Sequence, residues 1–294
     1  MTRLTEYARA KVNLTLHVGP VKPNGRHDLQ SLVTFSGKDV SDVLEAEPAS
    51  NFSLAVEGPF AKQAGPAKDN LVLRAARALN EALDGTAPPL GFRLKKQLPC
   101  AAGIGGGSAD AAAALRILVR AHGGDRVMEV ARQVAPELGG DVLACLVGLP
   151  GMMSGEGNVY EPMLGIPLLP VILVNPLTEC PTGPVFGAFD AHGGTMQAHP
   201  LPKAGRARDE DFKAYLKTST MNALEGPALS LVPEIGSVLE ALNGLPDVRL
   251  VRMSGSGATC FVLFDTYDCA EQALAALQET HQNWWMAVTM LGGG

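Results

Sequence analysis

Pro99-Cys100-Ala101-Ala102-Gly103-Ile104-Gly105-Gly106-Gly107-Ser108-Ala109 form a run almost free of bulky side chains, set between a strand-like stretch and an alanine-rich one. Glycines let backbone N–H groups converge on one point, and a helix that follows directly aims the positive end of its dipole there. The pattern is that of an anion site, above all for phosphate. No Lys-Ser or Lys-Thr pair follows the glycines, so the run is not a P-loop, and Ser108 stands where the dinucleotide fingerprint needs its last glycine. Two glycines would suffice for a tight strand-to-helix turn; four, Gly103, Gly105, Gly106 and Gly107, favour phosphate binding over packing as their reason. A second small-residue loop, Ser254-Gly255-Ser256-Gly257-Ala258-Thr259, offers hydroxyls and backbone donors between two apolar stretches. By itself it reads equally well as a hairpin bend. Together the two loops point to phosphate at more than one position, as when a nucleoside triphosphate meets a second phosphorylated compound.

The surrounding sequence predicts the elements that carry these loops. Ala8 to Val18 alternates apolar and polar residues, which predicts a half-buried strand with Lys11 and Asn13 projecting into one polar space. Lys22 to Leu29 contains an Asn-Gly turn, predicting a hairpin onto a second strand, Leu29 to Phe35, with His27 just past the turn. Asp69 to Leu83 predicts an amphipathic helix capped by Asp69, and Gly91 to Leu98 a strand feeding the glycine run. The following helix is expected to be capped by Gly107 or Ser108, with Asp110 in its first turn and helical content to about Val134. Asp141 follows two glycines at the mouth of a short helix, where pattern alone reads it as an N-cap. Beyond it come a buried strand at Leu168 to Val174, a long surface loop at Gly187 to Asp211, and helices at Asn222 to Leu242 and Cys269 to Gln278. Strands alternating with helices give an α/β class, with a domain boundary near 148–157.

The chain has 294 residues, enough for two domains. With 24 Lys and Arg against 30 Asp and Glu, its net charge of −6 and lack of a basic run exclude a polyanion-binding stripe, so nucleic acid is not expected as a partner. Five cysteines without CxxC pairing fit reduced thiols in a cytoplasmic protein. No apolar stretch is long enough for a membrane span, and no membrane partner is expected.

Three stretches carry a family resemblance. The run at Pro99 to Ala112, the strand ARAKVNLTLHV at Ala8 to Val18 and MSGSGAT at Met253 to Thr259 resemble, in order and spacing, the three motifs of the GHMP kinases. Within them the chain is similar to the branch whose acceptor is 4-diphosphocytidyl-2-C-methyl-D-erythritol, a cytidyl diphosphate sugar alcohol. Gly25 to His27, NLVLRAAR from Asn70, GGDV from Gly139, GEG from Gly155, PTGPVF from Pro181 and NALE from Asn222 support this, so the resemblance spans nearly the whole chain.

The resemblance implies an α/β, more specifically α+β, two-domain fold. An N-terminal ATP-binding domain (1–157) and a C-terminal ferredoxin-like domain (158–294) would have the active site between them. It implies ATP-dependent phosphorylation of the 2-hydroxyl of that acceptor, with Mg²⁺ accompanying ATP and no dedicated metal cluster; Ser108 is the protein-side candidate near the ion. Asp141 falls at the catalytic aspartate position and Lys11 at that of the lysine that steers its proton affinity. ATP is assigned to residues 99–109. Asn13, Arg26, His27, Thr182, Phe186, Ser254, Gly255, Ser256 and Gly257 are assigned to the acceptor. Arg26 departs from the branch, which has a tyrosine there to stack on cytosine; a guanidinium plane can also stack on a base. His27 would read the base edge and Phe186 cover its other face. A monomer or weak homodimer is expected. The rival readings are a homoserine- or mevalonate-type GHMP kinase and a nucleotide-binding protein without catalysis.

Overall fold

The computed structural model describes residues 3–193 and 209–293. In chain order the strands are β1 (Leu4–Arg9), β2 (Lys11–Asn13), β3 (His17–Val21), β4 (His27–Phe35), β5 (Ser41–Pro48), β6 (Ser53–Glu57) and β7 (Leu90–Lys95). They continue as β8 (Gly151–Gly155), β9 (Val159–Pro162), β10 (Leu169–Asn175), β11 (Leu250–Met253), β12 (Cys260–Leu263) and β13 (Trp285–Leu291). The helices are α1 (Leu71–Ala82), α2 (Gly106–His122), α3 (Asp125–Leu138), α4 (Val142–Val147), α5 (Thr182–Ala191), α6 (Asp209–Ser219), α7 (Glu225–Leu231), α8 (Glu234–Asn243) and α9 (Tyr267–Thr280). No helix among the described residues is long and apolar enough to cross a membrane, and all five cysteines carry free thiols.

Two compact units interleave along the chain. The first comprises Met1–Lys11, Val40–Cys100 and Gly105–Gly148; the second comprises Val12–Asp39, Ala101–Ile104 and Leu149–Gly294. A single cut near 157 is therefore not the division the packing makes, because the hairpin strands β3 and β4 pack with the later half of the chain.

In the first unit the sheet order is β1-β5-β7-β6, antiparallel except for the β6–β7 pair. Helix α2 is surrounded by α1, α3, α4, β1 and β5. A helix buried on most of its circumference has little room for side chains, and Ala109, Ala111, Ala112, Ala113 and Ala114 are all buried along it. Its alanine-rich sequence is thus the imprint of close packing. Helix α1 is capped by Asn70, whose side chain accepts from Val72 N, rather than by Asp69, which ends a preceding 3₁₀ turn.

In the second unit β10 to β13 form an antiparallel sheet in the order β11-β12-β10-β13, with α9 joining β12 to β13. This is the split βαβ arrangement of a ferredoxin-like domain, as expected. A separate sheet runs β2-β4-β8-β9, with β3 also paired to β4 across the Asn-Gly turn. The segment Ala8 to Val18 departs from one half-exposed strand. It breaks into β1, β2 and the start of β3, and Lys11, Asn13, Thr15 and His17 are as buried as the apolar residues between them. The predicted loop from Gly187 to Asp211 begins and ends in helix, because α5 runs to Ala191 and α6 starts at Asp209; 194–208 lie outside the described residues.

A buried charge cluster sets where the glycine run leaves its strand. Lys96, just past β7, places Nζ 2.5 Å from Asp42 Oδ2 and 2.8 Å from Asp110 Oδ2. Asp42 Oδ1 also accepts from Gln97 N at 2.5 Å and Leu98 N at 2.8 Å. Burial opposes the charge on Lys96, but the two carboxylates outweigh it and hold the ammonium above the ordinary lysine range. Burial, partly offset by Lys96 and reinforced by Asp42, pushes the Asp110 carboxyl up. Removing the shared cation would leave two buried acids facing each other. Lys96→Ala is expected to destabilise the protein by about 3–5 kcal/mol, the range for breaking a buried pair. Urea unfolding measures this, and a variant as stable as its parent would show that the cluster does not hold the fold.

Candidate active site

Lys11 is almost wholly buried, and its Nζ lies 2.8 Å from Asp141 Oδ2, whose side chain is 31% exposed. Asp141 occupies the residue before α4, yet its side chain makes no cap hydrogen bond. The N-cap reading is thereby excluded: the carboxylate turns to the lysine and keeps an accessible side. Gly105 stands against the pair. A Cβ added there would lie 3.2 Å from Lys11 Cβ and 3.6 Å from Asp141 Oδ2, at a φ of +61° that side chains rarely adopt.

Gly105 also caps α2, which starts at Gly106, two or three residues earlier than expected and with no side-chain cap. The N–H groups of the first turn, from Gly106 to Ser108, therefore have no capping side chain; Gly106 is buried, Gly107 exposed and Ser108 half-buried at the dipole end beside Lys11 and Asp141. The glycines nevertheless have packing reasons of their own, contrary to the argument from their number. Gly103, at φ +74°, is so tightly packed that an added Cβ would lie 2.5 Å from Ser254 O. A Cβ on Gly106 would come within 3.1 Å of Lys96 Nζ, whereas one on Gly107 would meet only Leu71 Cδ1, in ordinary contact at 3.4 Å. Pro99, Ala102, Ile104 and Ala109 are buried, whereas Cys100 is partly exposed and Ala101 exposed with φ +49°.

The second loop lies against Gly103. Ser254 is fully buried; its hydroxyl donates to Gly103 O at 3.0 Å and accepts from Asn13 N at 3.1 Å. It therefore fastens the two loops, with its hydroxyl turned to the chain. Gly255 and Gly257 take positive φ, and Ser256 Oγ lies 2.9 Å from Thr182 Oγ1 at the start of α5. Asn13 donates from Nδ2 to Ser31 Oγ at 2.6 Å, while its buried Oδ1 has no partner among the described residues. Two residues support this loop, Asn222 from the NALE stretch and Arg252, which the motifs did not single out. Asn222 Nδ2 donates to Met253 O and Gly255 O, both at 2.8 Å, and buried Arg252 donates to Leu14 O and Leu216 O.

A cavity of about 500 Å³ opens beside the hairpin turn, with Arg26, His27, Leu29, Glu156, Phe186 and Asp190 in its wall. The His27 and Phe186 rings pack 4.9 Å apart at 31°, and Phe189 meets His27 edge-on at 5.9 Å. Arg26 is 71% exposed at the rim, 3.6 Å from Glu156 Oε2. Glu156 also accepts from Asn24 Nδ2 at 3.0 Å and Lys22 Nζ at 3.3 Å, and these bonds, Asn24 first, hold its carboxyl below the ordinary range. Asp190 escaped sequence reasoning because it lies in no spaced motif, and Glu156, inside the GEG stretch, was given no role of its own; the fold brings both to the turn.

Residues 70–149 match the GHMP kinases N terminal domain and residues 204–283 the GHMP kinases C terminal domain. A relative from Hyphomonas neptunium named 4-diphosphocytidyl-2-C-methyl-D-erythritol kinase is 51% identical, across 98% of this chain and 97% of the relative. The crystal structure of a 4-(cytidine 5'-diphospho)-2C-methyl-D-erythritol kinase superposes with a TM-score of 0.79 at 31% identity, covering 99% of this chain and 100% of that one. The homoserine kinase from Cytophaga hutchinsonii shares the fold, with a TM-score of 0.68 at 15% identity, covering 99% of this chain and 94% of its own. The chain belongs to the GHMP kinases, in the family of 4-diphosphocytidyl-2-C-methyl-D-erythritol kinases.

Proposed function

We propose that the protein transfers the γ-phosphoryl group of ATP to the 2-hydroxyl of 4-diphosphocytidyl-2-C-methyl-D-erythritol, giving ADP and the 2-phosphate, in the cytoplasmic non-mevalonate route to isoprenoid precursors. The observation that carries this reading is the Lys11–Asp141 pair beside the uncapped start of α2. Phosphoryl transfer to an alcohol needs a base for the hydroxyl proton, positive charge for the migrating group and a cradle that holds the triphosphate in line. Asp141, open on one side, takes the proton. Lys11 fixes the carboxylate's direction and supplies the charge. The first-turn N–H groups of α2 cradle the phosphates.

Among the described residues no three His, Cys, Asp or Glu gather to hold a metal ion. Mg²⁺ suits a different donor set, the phosphate oxygens of ATP with the Ser108 hydroxyl, because it takes hard oxygen ligands and keeps several waters. Its chemistry there is to neutralise phosphate charge. The cavity at the hairpin suits the cytidyl group, with Phe186 on one face of the base, Arg26 on the other and His27 at its edge.

Asp141→Asn keeps the shape but cannot accept the proton, so kcat is expected to fall by ~10²–10⁴-fold while ATP still binds. Steady-state rates and nucleotide titration test this, and near-normal turnover would remove Asp141 from its role. Lys11→Ala should likewise lower kcat more than ATP affinity; a change in affinity alone would make Lys11 a triphosphate clamp instead. Arg26→Ala is expected to raise the KM for the cytidyl substrate by the equivalent of roughly 1–3 kcal/mol, as loss of a stacking partner does, while Arg26→Tyr is tolerated. Equal KM values for parent and alanine variant would place Arg26 outside the base site.

A further inference from the structure

Two hydrogen-bond acceptors face the same corner of the hairpin cavity. His27 Nδ1 lies 2.9 Å from the Gly19 carbonyl oxygen. A carbonyl can only accept, so Nδ1 carries the hydrogen and, in the neutral ring, Nε2 is left with a free lone pair. Nε2 lies 3.6 Å from Asp190 Oδ1, beyond hydrogen-bond length. The Asp190 carboxylate makes no side-chain hydrogen bond among the described residues and is one-third exposed in the cavity wall. The corner therefore has two acceptors and no donor between them. Arg26 and Lys22 do not fill it, since both are held by Glu156 and Lys22 also by Asp28.

A ligand group with two N–H bonds on one nitrogen completes such a corner, giving one hydrogen to Nε2 and the other to the carboxylate. The exocyclic amine of cytosine is such a group. Uracil presents a carbonyl oxygen at the same position and would put a third acceptor there. We infer that Asp190 is a specificity-determining residue, which together with His27 selects an aminopyrimidine over its keto counterpart. This rests on the reading of the cavity as the cytidyl site and adds to it the group that rejects the wrong base. The discrimination available is large in principle, because a site built to receive a hydrogen bond leaves buried polar groups unpaired when the analogue cannot make it.

The test compares kcat/KM for the cytidyl and uridyl diphosphate forms of the methylerythritol acceptor, in the parent and in Asp190→Asn. An amide can turn its N–H₂ toward the uracil oxygen, so the variant should lose at least about tenfold of the parent's preference for the cytidyl form, in part through a gain with the uridyl form. Melting temperature and the KM for ATP separate this from a general disturbance of the fold, which would move both acceptors together. Should Asp190→Asn fail to fold, Asp190→Ser gives the same ratio without the carboxylate. A cytidyl-to-uridyl ratio unchanged in the variant overturns the inference while leaving the kinase reading intact. A parent that phosphorylates neither acceptor overturns both.

Discussion

Lys96 is the point on which the arrangement at the glycine run turns. A fully buried ammonium is tolerable only if acidic groups surround it, and here the two acids come from different elements, Asp42 from β5 and Asp110 from α2. One side chain thereby fixes the sheet, the end of β7 and the first turns of the helix at a single spacing. Asp42 adds to this by accepting from two successive N–H groups, at Gln97 and Leu98, so the chain enters the loop in one direction only. Gly106 lies close enough to Lys96 that even a methyl group would press on the ammonium. The start of α2 is thus set from beneath by charge and from above by Lys11 and Asp141 around Gly105.

Lys11 and Asp141 could be found in the sequence because both sit in short stretches that resemble family motifs, and the same resemblance implied the ferredoxin-like domain that the later strands form. Asp110 was harder. Its place in the first helical turn reads as a favourable charge near a helix N-terminus, whereas its actual partner is Lys96, to which no sequence pattern assigned a role. A buried ion cluster leaves no periodic trace, since each member looks like an ordinary surface charge until the fold brings the others. The same limit applies to Asp190 and Glu156. Alternation failed at Lys11 to His17 for a related reason: polar residues there are covered by other parts of the chain, so a two-residue period no longer means one wet face.

Bare backbone serves two different ends along the glycine run. Four glycines in a run suggest a ligand that needs bare backbone, yet Gly103 is required by the close approach of the second loop, and a Cβ at Gly106 would crowd Lys96. The count alone does not discriminate, because backbone meeting backbone and backbone meeting phosphate impose the same demand. What favours an anion is directional: an uncapped helix start, an accessible carboxylate and a lysine converge on one end of α2.

The interleaving of the two units bears on how the polypeptide acquires its shape as it leaves the ribosome. Segments up to Gly148 suffice for the first unit, but β4 must wait for β8, which begins at Gly151, to cover its second edge, and Leu16 waits for its bridge to Asn222. Until then a hairpin with apolar residues such as Leu32 and Val33 lacks a neighbour, the condition in which open strand edges invite pairing with other chains. A fragment ending at the close of the first unit would carry that hairpin permanently bare. Residues 12–39 and the carboxyl-terminal half belong to one compact unit, so a cut after Gly148 divides that unit and leaves its hairpin on the wrong fragment.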